Sequence, residues 1–209
     1  MTQRDNNLFT IYINNFYNFL FKYFNNIKFD NKNSKENIKL KINNLEHSSD
    51  FQTVWLLNMK RLYNEFKKRI KPVDYHFIDI GCGNGIPLIY AYKNFEFKSY
   101  SGFDFIQEHI EISKDNIKLS LGKDSNIEVF KFDAKEYKLD NNKSFFVFMY
   151  NPFSGYILDN FLKNNFELLK ANKSVIAYSN LAKDQLEVMK KYNPDFILNK
   201  KYKTSVIFF

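Results

Sequence analysis

Apolar positions along the chain follow two rhythms, and the change between them falls near residue 75. Before it, the spacing is helical. Phe9, Ile13, Phe16, Leu20 and Tyr23 recur at three- and four-residue steps, which predicts an amphipathic helix over 8–24. Its face is wide and aromatic, and docking on its own domain is the expected use, with a partner surface as the other. Residues 25–45 are rich in Asn and Lys and weakly patterned, as in a loop or linker. A second helix is expected from near Asp50, where Ser49 and Gln52 have capping-box spacing. Its buried stripe is Trp55, Met59, Leu62, Phe66 and Ile70, and Pro72 ends it.

From Tyr75 onward, short apolar runs alternate with helical patterns. Strands are expected at 75–80, 99–103, 127–132, 144–150 and 174–178. Helices are expected at 86–94, 106–121, 156–170 and 181–191. Near-continuous apolar strands alternating with helices predict an α/β fold, a parallel sheet covered on both faces. Residues 195–199 and 203–209 are two strand-like runs with only a Lys-rich turn between them, a terminal hairpin that places one antiparallel strand in the sheet. The chain thus divides into an N-terminal helical extension, 1–72, and an α/β domain, 73–209.

Composition narrows the chemistry. The 31 basic against 23 acidic side chains give a formal charge of +8. That balance suits an anionic partner such as nucleic acid, or equally a solvated lysine surface in a chain rich in Phe, Ile, Asn and Lys. With Cys82 as the one cysteine, a disulfide framework is excluded and a cysteine zinc site is not expected. His47, His76 and His109 lack metal-ligand spacing, so no metal is expected. The run Phe16 to Phe24 is interrupted by Asn18 and Lys22 and too short to cross a bilayer. No signal-peptide pattern stands at the start, and a reducing cytoplasm is the expected location, with no membrane partner.

The strongest motif is Asp79-Ile80-Gly81-Cys82-Gly83-Asn84-Gly85, at the end of the first sheet strand and the opening of a helix. Glycines let the chain turn tightly and a ligand approach the backbone. The following helix offers free N–H groups and a positive dipole end, and the acid can meet an ammonium group. Asp104 closes the second strand, where a Rossmann-type site holds a ribose hydroxyl pair. Asp133, in Phe132-Asp133-Ala134, closes the third and can accept from an adenine amino group. Three acids on successive strand ends line one crevice. A nicotinamide site is disfavoured, because its fingerprint wants Gly or Ala where Ile86 stands. Cys82 reads as a buried small residue of the loop rather than a nucleophile.

On these residues the stretch 75–209 resembles the class I S-adenosylmethionine-dependent methyltransferases: the glycine motif, Asp104, Asp133 and the terminal hairpin fall in that family's order. The resemblance implies a seven-stranded Rossmann-like sheet of order 3-2-1-4-5-7-6 with strand 7 antiparallel. It implies S-adenosylmethionine as cofactor and S-adenosylhomocysteine as product. Asp79 and the loop residues Gly81, Cys82 and Gly83 would hold the methionine part and Asp104 the ribose. Asp133 with Ala134 would hold the adenine, and Phe105 would pack on its face.

The fourth strand ends in Asn151-Pro152-Phe153, pointing into the same crevice. The Asn151 side-chain oxygen and the Pro152 carbonyl can accept both N–H bonds of a target amine, and Phe153 can stack on a planar target or wall an alkyl chain. Asn151 would lie beside the cofactor as well as the acceptor. The motif is similar to the Asn-Pro-Pro-aromatic loop of amino-directed nucleic-acid methyltransferases, short of one proline. It also resembles the Asn-containing loop of non-SET histone-lysine methyltransferases. The plainer alternative is a strand-ending turn with Phe153 as a core plug. The expected activity is methyl transfer to a nitrogen on a macromolecule, a protein lysine or a nucleic-acid base. A cofactor-binding module without catalysis is the alternative of another class.

Overall fold

The computed structural model describes residues 8–27 and 54–209. Ser49, Gln52 and Asp50, the expected start of the second helix, and most of the expected linker lie outside the described residues. The elements are α1 (Leu8–Phe24), α2 (Leu56–Lys67), a 3₁₀ turn (Pro72–Asp74), β1 (His76–Ile80), α3 (Ile86–Asn94), β2 (Ser99–Asp104), α4 (Gln107–Leu121), β3 (Ile127–Lys131), β4 (Phe145–Tyr150), α5 (Gly155–Ala171), β5 (Val175–Ser179), α6 (Lys183–Lys190), β6 (Asp195–Asn199) and β7 (Thr204–Phe208).

The strands form a seven-stranded sheet of order β3-β2-β1-β4-β5-β7-β6. β1 to β5 are parallel and β7 runs antiparallel between β5 and β6. Burial explains which strands are central. β4 and β5 are buried on both faces, as their unbroken apolar runs require, while β3 and β6 put charged and polar residues on the edges.

Side-chain alternation separates two cores. Phe77, Phe146, Phe148, Val175 and Ala177 face one side, and Ile78, Ile80, Val147, Met149 and Ile176 face the other. α2, α3 and α4 cover the first face and α5 and α6 the second. The stripe of α2 is where the sequence puts it: Met59, Leu62 and Phe66 are buried in the first core, and the Phe66 ring meets Tyr75, Phe97 and Phe146.

α1 reverses the sequence expectation. It does dock, but through its other side. Phe9, Phe16 and Tyr23 are 70%, 50% and 69% exposed, while Asn14 and Asn18 are buried. Tyr17 and Phe21 pack on Tyr90 of α3, the two hydroxyls 3.2 Å apart. Asn18 donates to the Val54 carbonyl at 2.7 Å and accepts from the Leu56 N–H at 3.1 Å. It therefore caps α2 from outside, where the helix's own N-cap residue, Trp55, supplies no side-chain bond. A helix with aromatic residues on most of its surface has no single apolar stripe. The side-chain hydrogen bonds to the backbone ahead of α2 select the docked face.

Candidate functional site

The glycine turn is built where β1 ends. Gly81, Gly83 and Gly85 all have positive φ, at 77°, 52° and 77°. The Gly81 and Cys82 N–H groups both donate to the Phe103 carbonyl of β2, at 2.9 and 3.0 Å, which fixes the turn against the next strand. Asn84 supports the start of α3 through its side-chain oxygen and is itself held by Asn116 of α4. A Cβ on Gly85 would meet Ser113 Oγ at 2.3 Å, so only glycine lets α3 and α4 come this close.

The first two acids share a sheet face. Asp79 pairs in register with Gly102, and Asp104 lies two residues beyond on the same side. Asp104 is buried and already bonded: Oδ2 accepts from Gly83 N–H at 3.1 Å and Oδ1 from Ile106 N–H at 3.0 Å. His109, one turn into α4, places Nδ1 3.2 Å from Asp104 Oδ2. Asp79 is the opposite case. It is 2% exposed, and its Oδ2 has no hydrogen-bond partner among the described residues. Burial, and then the neighbouring Asp104 charge, push its carboxyl well above the ordinary range. An orphaned, deeply buried carboxylate oxygen beside a glycine turn fits a cationic ligand group such as an ammonium.

Asp133 lies two residues past the end of β3 and is less enclosed. Its Oδ1 accepts from Lys135 N–H at 2.9 Å, and its Oδ2 stands 3.4 Å from Lys135 Nζ. Ala134 is buried and Phe105 half-buried. Cys82 is buried in the first core, and burial pushes its thiol well up, so the thiolate needed for nucleophilic chemistry is suppressed.

The loop after β4 touches the glycine turn. A Cβ added to Gly81 would lie 2.7 Å from Pro152 Cβ, so Pro152 sits directly over the turn. Asn151 is half-buried, with φ 41°, a left-handed backbone that Asn tolerates better than most residues. Phe153 is buried in the second core, its ring closed to solvent.

Gln185 on α6 holds this loop and gave no signal in the sequence. It is 1% exposed; its Nε2 donates to Asn151 Oδ1 at 2.9 Å and to the Phe153 carbonyl at 2.6 Å, and its Oε1 accepts from Ala182 N–H at 2.8 Å. The sequence reading also missed His109, whose position five residues after Asp104 on a helix facing the strand end was the available signal. Among the described residues, no cluster of His, Cys, Asp and Glu could hold a metal ion, and no helix is long and apolar enough to cross a membrane.

No protein-family model matches the sequence, and no curated protein matches it. Solved structures do match. The human methyltransferase 10 domain containing protein superposes with a TM-score of 0.56 at 17% identity, over 84% of this chain and 91% of its own. Precorrin-6y C5,15-methyltransferase from Geobacter metallireducens GS-15 gives 0.54 at 19% identity, over 75% of this chain and 88% of its own. The ribosomal protein L11 methylase from Lactobacillus delbrueckii subsp. bulgaricus gives 0.52 at 16% identity, over 71% of this chain and 76% of its own. The strand order and these likenesses give the fold: it is the Rossmann-like fold of class I methyltransferases.

Proposed function

We propose that this protein is an enzyme that transfers a methyl group from S-adenosylmethionine to a nitrogen acceptor on a macromolecule. One observation carries the reading: the unpartnered Asp79 Oδ2, buried on the strand that feeds the glycine turn. Leaving a carboxylate oxygen buried and unpaired is costly unless a ligand satisfies it, and the amino acid part of S-adenosylmethionine carries an ammonium group. Gly81, Cys82 and Gly83 offer a backbone that such a ligand can approach. Asp104, fixed by two backbone N–H groups, has the position expected of a ribose acceptor. Asp133 and Ala134 would border the adenine, with Phe105 against its face.

The cofactor supplies an electrophilic methyl group on a sulfonium. The chain's own contribution is placement. Pro152 over Gly81 sets the acceptor loop against the cofactor loop, and Gln185 fixes Asn151 from behind. The amide oxygen of Asn151 keeps a second lone pair for an acceptor N–H. Such placement shortens the reaction's entropic path without strong acid–base help. Phe153, buried in the second core, anchors the loop. Two of the structural neighbours are named for a precorrin and for a ribosomal protein, so the fold does not select an acceptor class. The formal charge of +8 is the chain's own support for a large anionic partner.

The test is thermal melting with ligand. S-adenosylmethionine and S-adenosylhomocysteine at a hundred times their Kd are each expected to add about 2.7 kcal/mol of stability, and NAD to add none. Stabilisation by NAD alone would overturn the cofactor assignment. Tritium-methyl transfer to a cell lysate then reports turnover.

A further inference from the structure

The β6–β7 turn lies at the acceptor end of the sheet. β7 is antiparallel to β5 with Thr204 opposite Ser179, so residues 200–203 sit beside the carboxyl end of β5, the end that carries Asn180 and neighbours Asn151. The turn reads Lys200-Lys201-Tyr202-Lys203. It is held in place: Asn58 of α2 donates to the Tyr202 carbonyl at 3.3 Å, and the Asn180 N–H donates to the Lys203 carbonyl at 2.8 Å. Arg61 of α2 lies over the Tyr202 ring, 3.7 Å from its centre. Among the described residues, no acid forms an ion pair with Lys200, Lys201 or Lys203. The result is a fixed basic and aromatic rim.

Inside that rim is an unsatisfied amide. Asn180 is 4% exposed, with φ 62°, and among the described residues neither its Nδ2 nor its Oδ1 has a hydrogen-bond partner. It lines a small cavity with Trp55, Asn58, Tyr150, Lys201 and Tyr202. Tyr150 is opposite Ser179 in register, so Asn151 and Asn180 occupy equivalent positions just past two adjacent strands. That cavity measures about 10 Å³, room for a single water, so Asn180 backs the rim from inside and does not meet the acceptor itself.

We infer that the rim of Arg61, Lys200, Lys201, Tyr202 and Lys203 is the seat of a nucleic-acid acceptor. This deepens the methyltransferase reading and rests on it. The rim's charge decides between acceptor classes. A protein lysine would bring a cation past four cations with no acid among them, whereas a phosphate backbone is attracted by all four and displaces their counterions. Tyr202, with the Arg61 guanidinium 3.7 Å and Lys201 Nζ 5.4 Å from its ring centre, is the aromatic group of the rim, of the kind on which an unstacked base stacks.

The test uses the full chain, with a fluorescently labelled single-stranded RNA of mixed sequence as probe, titrated at several salt concentrations. The native protein is expected to bind with an affinity that falls steeply with salt. The double variant Lys200→Ala, Lys201→Ala is expected to bind on the order of tenfold more weakly at 0.1 M salt and to lower the salt slope by about 1.4, the contribution of two phosphate contacts on a single strand. Its melting shift with S-adenosylmethionine is expected to equal that of the native protein. Tritium-methyl transfer to total RNA and to total protein of a lysate is the second arm, with label expected in RNA. Label in protein alone, or RNA affinity that does not change in the double variant, overturns the nucleic-acid seat. Loss of any melting shift with S-adenosylmethionine in the native protein overturns the methyltransferase reading and the seat with it.

Discussion

Asp79 and Asp104 are the same residue type on adjacent strands, yet their surroundings divide their work. Asp104 accepts two backbone N–H bonds and so shapes the turn before any ligand arrives. Asp79 has one oxygen that nothing meets, so its charge is a liability in the free protein. Because its folded-state carboxyl is raised, the folded chain binds that proton more tightly than the unfolded chain does. Its effect on stability is therefore absent below the unfolded value near pH 4 and becomes a loss as pH rises through the folded value. Asp79→Asn is expected to melt higher than the native protein near pH 7 without ligand, with the difference shrinking towards about pH 4, and to lose most of its melting shift with S-adenosylmethionine. Melting curves across that range check it; parallel curves for the two proteins would refute the buried-charge account.

At the scale of elements, the site is a contact between two loops. The glycine turn after β1 and the Asn151-Pro152-Phe153 loop after β4 meet because β1 and β4 are neighbours in the sheet and both end at the same edge. Gly81 has room for no side chain at that contact, and its φ of 77° suits no other residue type well. Gly81→Ala is expected to cost about 1–2 kcal/mol from backbone conformation alone, with the clash against Pro152 added to it. In the double variant Gly81→Ala, Pro152→Ala, the clash with the proline ring is relieved and the backbone cost remains. Melting of both variants separates the two contributions. If the second substitution recovers no stability, Pro152 does not press on Gly81. Gln185 belongs to the same scale, since it ties α6 to the loop through two hydrogen bonds and holds the start of its own helix through a third.

For the whole molecule, the question is what the N-terminal helices are for. The rhythm of the sequence divides the chain at residue 72, but α2 contributes Met59, Leu62 and Phe66 to the core on one face of the sheet. Each such burial is worth about 1.5–3 kcal/mol, so the three together reach about 5–9 kcal/mol. A domain's whole net stability is about 5–15 kcal/mol. A chain beginning at residue 73 is therefore expected to show no cooperative melting transition and to expose hydrophobic surface to dye. A sharp transition in that truncated chain would show that 73–209 is a self-sufficient domain.

Local sequence determined most of the architecture, because strand and helix rhythms and the glycine motif are short-range signals. Unbroken apolar runs at 145–149 and 175–178 require burial on both faces, and β4 and β5 are indeed central. The terminal pair of strands with no helix between them had to form a hairpin, and β6 and β7 do. The placement of the three acids near strand ends was legible for the same reason: Asp79 is the penultimate residue of β1, Asp104 the last of β2 and Asp133 two residues past β3. What remained for the tertiary structure was every choice between chemically equivalent options. α1 has apolar residues on most of its surface, and the match of Asn18 to the backbone ahead of α2 decided which face docks. Phe153 was equally suited to the surface or the interior by its local sequence, and its burial comes from the packing of the second core. Gln185 and Asn180 had no local pattern at all. Their surroundings come from strands and helices far apart in sequence, and only the folded chain sets the 2.9 Å bond between Gln185 and Asn151, or the 2.8 Å bond from the Asn180 N–H to the Lys203 carbonyl, because no short-range rhythm encodes a contact across the sheet.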